Sequence, residues 1–236
     1  MQQVKAIIFD FDGLMVNSEE LREEAMARVI SEYGAELKHE DYLPTMTRLR
    51  GYGAVNGFLM EKYGIDDDIL EFGRKRTEYF HELFESRLEL MDGISDVIRD
   101  AKEVGVKLAV ASNRNKQDVV DGLARLGVLE NFYVVVNSDE LESRNMKPDP
   151  EIYLVTAKKL GVEPSACLVL EDSVDGAQAA VAAGMRVIQV PDARYNDGYH
   201  DEAEMVLRSM TELRREVLQR LIHPDGIESN KRSEVI

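Results

Sequence analysis

Two carboxylates, Asp10 and Asp12, stand at the end of an apolar run, Val4 to Phe9, with Gly13 directly after them. The run is rich in β-branched and aromatic residues and reads as a fully buried strand of a parallel sheet. Acids this close repel each other unless a cation sits between them, and a divalent metal ion can hold both. Phe11, the spacer, points the other way and can pack into a core. The bland alternative is an acidic turn that merely caps the strand. A second pair of acids, Glu171 and Asp172, closes another apolar run, Cys167 to Leu170. As a helix cap the pair would account for Asp172 and leave Glu171 unexplained, and Ser173 or Asp175 could cap instead. Taken singly, Ser112-Asn113 after the run Leu108 to Ala111 is an ordinary turn, and Lys147 a solvated surface lysine.

In their order along the chain these stretches are more specific. Asp10-Phe11-Asp12-Gly13 resembles the first motif of the haloacid dehalogenase superfamily, and Ser112, Lys147 before Pro148-Asp149-Pro150, and Glu171-Asp172 resemble its three later motifs. The resemblance covers nearly the whole chain and points to the helical-capped branch that includes β-phosphoglucomutase. It implies that Asp10 attacks phosphorus and becomes an aspartyl phosphate, with Asp12 as general acid and base. It implies that Ser112 and Asn113 hold the phosphoryl oxygens and that Lys147 neutralises charge gathering on them. The implied cofactor is Mg²⁺, a hard cation suited to oxygen ligands, held by Asp10, the backbone carbonyl of Asp12 and Asp172, with Glu171 as a ligand or one water removed. Arg48 and Arg50, within Thr47-Arg48-Leu49-Arg50-Gly51, match a segment through which relatives touch the leaving group, although a solvated face explains them as well.

Departures from the family pattern bear on the substrate. Asn17 stands where an Asp is common, and Asp92 where a Pro is common before Gly93. The family mutase carries a His and a loop Arg at positions that match Arg22 and Ala54 here. An Arg cannot act as the neutral acid–base partner that a His can be, so hydrolysis is expected over isomerisation.

The elements that must position these residues follow from periodicity. Ser18 can cap a helix with Glu19 and Glu20 in its first turn, and Leu21, Ala25, Val29 and Ile30 recur at helical spacing. Helices over Ala54 to Tyr63 and Ile69 to Leu88 follow, and no strand is evident between Asn17 and about Leu90. Residues 17–90 therefore read as an inserted all-α cap. From Asp92-Gly93 onward helix and strand alternate: helices at Ile94 to Glu103, Gln117 to Leu126, Glu151 to Leu160 and Val174 to Ala183, and strands at Lys107 to Ala111, Tyr133 to Asn137, Cys167 to Leu170 and Val187 to Val190. A late strand at Met205 to Leu207 and a helix at Thr211 to Leu221 complete the pattern. This alternation implies βαβ units and an α/β fold, a doubly wound parallel Rossmann-like sheet formed by residues 1–16 and 91–222. Residues 223–236 lack periodicity and read as a disordered tail. The basic run Arg74-Lys75-Arg76 reads as helix surface.

Composition narrows the remaining classes. The formal net charge of -16 lacks the basic stripe that nucleic acid or an anionic membrane would require. With 236 residues, 44% of them apolar, a sizeable core is available, and the single Cys167 excludes an intrachain disulfide. No leader-like opening and no long apolar span are evident, so a cytoplasmic location is expected. The expected partner is a small phosphorylated metabolite, with no obligate protein partner evident. The competing readings are a phosphosugar mutase of the β-phosphoglucomutase type and a non-catalytic phospholigand-binding protein. Dehalogenation needs neither Asp12 nor a metal site, and phosphonate hydrolysis would need a lid lysine that cannot be singled out.

Overall fold

Strand β1 (Ala6–Phe9) is buried along its whole length because parallel neighbours flank it and helices cover both faces. The computed structural model describes residues 2–47, 49, 51–143, 145–196 and 198–222. Arg48, Arg50 and the tail 223–236, singled out in the sequence, thus lie outside the described residues. Beside β1 run β2 (Lys107–Ser112) and β4 (Cys167–Glu171), then β3 (Val134–Asn137), β5 (Arg186–Gln189) and β6 (Met205–Val206). The order is β3-β2-β1-β4-β5-β6 and every pairing is parallel. The chain therefore winds outward from β1 in both directions, and open α/β sheets bind ligands outside the carboxyl ends of strands at such a reversal.

Between the strands lie α5 (Ile94–Val104), α6 (Lys116–Arg125), α7 (Glu151–Leu160) and α8 (Val174–Ala182), with α9 (Arg215–Ile222) at the end. Ala6 and Ile8 join Ala109, Ala111, Val169, Tyr153 and the small residues Ala177, Ala179 and Ala180 in one core. On the opposite face Phe9 meets Phe132 edge to face with ring centroids 5.8 Å apart. The expected final helix is divided: a 3-10 turn at Met210–Glu212 precedes α9. That turn presses against Gly93, whose φ is +88°; a Cβ there would lie 2.5 Å from the Thr211 nitrogen.

A second compact unit comprises Val16–Glu89 and Ala193–Asn196. Its helices are α1 (Ser18–Glu32), α2 (His39–Thr47), α3 (Tyr52–Tyr63) and α4 (Ile69–Arg87), so the insert is all-α. Met26, Val29, Ile30, Leu59, Phe72 and Tyr195 make its core. Asp68 caps α4 by accepting from the Leu70 and Glu71 amides at 2.7 and 3.1 Å. The periodicity missed α2, which is short, polar and carries Pro44 inside it. Ser18 is not the cap of α1 but its first, fully buried residue; Asn17 holds the cap position and makes no side-chain cap bond. The Asn17 side chain instead accepts from the Glu89 amide at 3.0 Å and donates to the Arg87 carbonyl at 3.3 Å, while its backbone amide donates to the Glu89 carbonyl. An Asp could not make the donation to Arg87. Arg76 corrects the surface reading of the basic run: it is buried and donates to Asn56 Oδ1 at 2.7 Å.

Two glycines with similar backbone angles should respond differently to the same change. Gly105 ends α5 at φ +81° with nothing near its missing Cβ, so Gly105→Ala should cost about 1–2 kcal/mol for the left-handed conformation alone. Gly93→Ala adds the clash with backbone and should cost about 2–4 kcal/mol, seen as a larger fall in melting temperature.

Candidate active site

Asp10 is the first residue beyond β1, and its amide donates to the Leu170 carbonyl at 2.9 Å. The register that pairs Phe9 with Val110 and with Leu170 brings the carboxyl ends of β1, β2 and β4 level. Into this floor reaches Lys147, which is buried rather than solvated. Its ammonium donates to Asp10 Oδ1 at 2.5 Å, to Glu171 Oε1 at 2.6 Å and to the Ala111 carbonyl at 3.0 Å, using all three N–H bonds.

Glu171 is fully buried, and both its oxygens are engaged. Oε1 accepts from Lys147 and from the Tyr153 hydroxyl at 2.7 Å; Oε2 accepts from the Ser173 amide at 3.1 Å and hydroxyl at 3.0 Å. Gly176 makes room for this carboxylate, because a Cβ there would fall 1.8 Å from Oε1. Ser173 also caps α8 through the Gly176 amide at 3.0 Å. Single oxygens of Asp10, Glu171 and Asp172 lie within 4.8 Å of one another. Proximity therefore groups three acids, while the hydrogen bonds give Glu171 the task of anchoring Lys147.

Asp12 is held by a residue the motif reading passed over. Arg114 Nε donates to both Asp12 oxygens at 3.1 Å, and Nη2 donates to Oδ1 at 2.6 Å. Ser112 ends β2, and its oxygen accepts from the Arg114 amide at 3.1 Å, which leaves its own proton to donate. Asn113 ties the neighbouring loops: its side-chain oxygen accepts from the Lys147 amide at 3.2 Å and its carbonyl from the Ser138 hydroxyl at 3.2 Å. Asp10, Asp12, Ser112, Asn113, Lys147, Glu171 and Asp172 thus all lie at the same end of the sheet. Arg114 was detectable only as the second residue after Ser112 with Asp118 four further on, and Tyr153 only as a core aromatic.

A family model for haloacid dehalogenase-like hydrolases matches residues 7–190. The chain belongs to this family. Among similar proteins is the "Putative phosphatase YhcW" of Bacillus subtilis, 32% identical over 210 residues, which span 89% of this chain and 94% of that one. Another is the "Phosphorylated carbohydrates phosphatase" of Thermotoga maritima, 32% identical over 197 residues, 83% of this chain and 88% of that one. A crystal structure of a "putative beta-phosphoglucomutase from Thermotoga maritima" superposes with a TM-score of 0.79 at 30% identity, covering 92% of this chain and 100% of that one. The carboxylate cluster and these relatives mark the chain as a catalytically active hydrolase of the superfamily, with a helical cap. No helix among the described residues is long and apolar enough to cross a membrane.

The electrostatics of this hydrolase site are set by burial. Burial drives the Asp10 carboxyl well above the ordinary range; the Lys147 charge opposes that rise and Glu171 adds to it. Burial also pushes Glu171 upward, but the Lys147 charge and the donors on both oxygens bring it below its usual value. Lys147 pays a burial penalty too, yet the two acids raise it well above a free lysine. With all three acids ionised, as a bound cation would favour, three carboxylates against one ammonium would leave two negative charges, and the donors of the cluster are oxygens. That set fits a hard divalent cation.

Asp10 has the raised value only in the folded chain, so folded protein retains a proton that unfolded protein releases. The contribution of Asp10 to the stability of the metal-free protein should therefore fall as pH rises from about 4, the ordinary carboxylate value. Asp10→Asn cannot carry the charge and should melt above wild type at neutral pH in chelator, with the gap closing toward about pH 4. Melting curves across that range check the sign.

Proposed function

We propose that this chain is a Mg²⁺-dependent phosphatase that cleaves small phosphorylated metabolites through an aspartyl phosphate on Asp10. The observation that carries the reading is the buried Lys147 bridge, which fixes one Asp10 oxygen while Asp12 stands two residues on. Two relatives are named as phosphatases, one of them for phosphorylated carbohydrates, which supports sugar or polyol phosphates as the substrate class.

In this reading the second Asp10 oxygen attacks phosphorus as the bond to the leaving oxygen breaks, and Asp12 gives that oxygen a proton. Asp12 then takes a proton from the water that attacks the aspartyl phosphate, releasing inorganic phosphate and restoring Asp10. Ser112 donates to a phosphoryl oxygen, and Lys147 offsets the charge that would otherwise repel substrate from Asp10. Glu171 keeps Lys147 in place. Mg²⁺, held by the Asp10 and Asp172 carboxylates and the Asp12 carbonyl, would supply charge neutralisation at the phosphoryl group.

The likeness to a protein titled a putative β-phosphoglucomutase gives the mutase reading its support. Against it stand Ala54 and Arg22; the latter is 3.3 Å from Glu19 with its guanidinium 5.1 Å from the Phe80 ring centroid. Incubation with β-glucose 1-phosphate and catalytic bisphosphate should release free phosphate rather than form glucose 6-phosphate.

With an aryl phosphate and Mg²⁺, Asp10→Asn should lose roughly ten-thousandfold or more in kcat. Asp172→Ala should instead raise the Mg²⁺ concentration needed for half-maximal rate, with little change of melting temperature in chelator, because it also relieves like-charge repulsion. A metal titration beside a melting curve separates the two effects.

A further inference from the structure

We propose that Arg114 is the positioning residue for Asp12, fixing the plane of the carboxylate so that one oxygen is aimed at the leaving group. The inference rests on the phosphatase reading and goes beyond it, since the proton donor alone does not explain how a short side chain on a turn keeps its aim. Asp12 is followed by Gly13, whose φ is +78°, and the angle of the carboxylate depends on what holds its oxygens.

The guanidinium holds them. Nε spans both oxygens at 3.1 Å and Nη2 adds a third contact at 2.6 Å, so the carboxylate can neither spin nor tilt without breaking a charge-assisted bond. The Arg114 side chain is 7% exposed and that of Asp12 18%, which shields the pair from the screening that weakens surface ion pairs.

Arg114 is itself held from two sides. Its backbone amide donates to Ser112 Oγ at 3.1 Å, and Nη1 donates to Asp118 Oδ2 at 3.4 Å in the first turn of α6. That turn is fixed by Asn115, which caps α6 by accepting from the Asp118 amide at 2.9 Å. One residue thereby sets the spacing between the proposed proton donor on the β1 loop and the proposed phosphoryl contact on the β2 loop. A lysine would bring a point charge without the fork.

Protonation matters in proportion to how poor the leaving group is. An alkoxide leaves only with a proton, whereas a dinitrophenolate leaves without one. The ratio kcat/KM counts events only up to that departure, so it isolates the donor role from the later water step. Arg114→Ala and Arg114→Lys should lower kcat/KM for a polyol phosphate by about tenfold to a hundredfold, within the range that general acid catalysis contributes, and leave it nearly unchanged for 2,4-dinitrophenyl phosphate. Placed on Asp12→Asn, the same changes should add little, because Arg114 acts through Asp12. The lysine variant keeps the charge and serves if the alanine variant does not fold. Equal losses on both esters, a gain on the polyol ester, or losses that add fully in the double variant would overturn the assignment. Wild type inert toward both esters with Mg²⁺ would overturn the phosphatase reading and this inference with it.

Discussion

A single ammonium group shared by two buried acids is the interaction on which this site depends. Lys147 lies between Asp10 and Glu171, each within 2.6 Å, in a region from which water is largely removed. Taking three charges out of water is costly, and the arrangement is tolerable only because each has hydrogen-bonding partners. Glu171 has four such bonds and Lys147 three, whereas the burden of incomplete compensation falls on Asp10. The least stabilised of the three is thus the one proposed to react, and the charge it lacks is of the kind a divalent cation supplies.

Such precision needs a rigid floor. Parallel strands with both faces covered leave little freedom at their ends, and the three that carry Asp10, Ser112 and Glu171 are adjacent in the sheet. Small residues on α8 let that helix approach the Glu171 side chain closely. Tyr153, on the neighbouring α7, reaches the same carboxylate, while its burial and the nearby Glu171 hold its hydroxyl protonated. Packing and charge placement are therefore one arrangement here: the core is what holds the polar groups at their angles.

The strands and most helices were legible because their signals are local. A buried strand announces itself by a short apolar run, and α7 and α8 are bounded by Pro150, Ser173 and glycines. What stayed hidden depends on tertiary contact. Helix α2 carries a proline and little periodicity, and it is tertiary contact, with Tyr42 packed into the insert, that holds it. Arg76 sits in a basic run that any window would place in solvent, yet Asn56 draws it inside. The motif acids could be singled out from their positions at strand ends. Arg114 could not, because its partner lies a hundred and two residues away and nothing in the intervening sequence links them.

The Asn17 amide has a consequence for how the chain can vary. By bonding to both Arg87 and Glu89 it joins the outgoing and returning strands of the insert side by side, while Met15 and Met91 pair in the same way on the sheet's own side of the junction. To the sheet, the whole excursion from Val16 to Glu89 is then equivalent to a tight turn. Its length scarcely enters the free energy of closing it, since each doubling of a loop costs only about 0.6 kcal/mol even without such a clasp. A chain built this way can exchange one helical insert for another without disturbing the strand ends on which the acids stand.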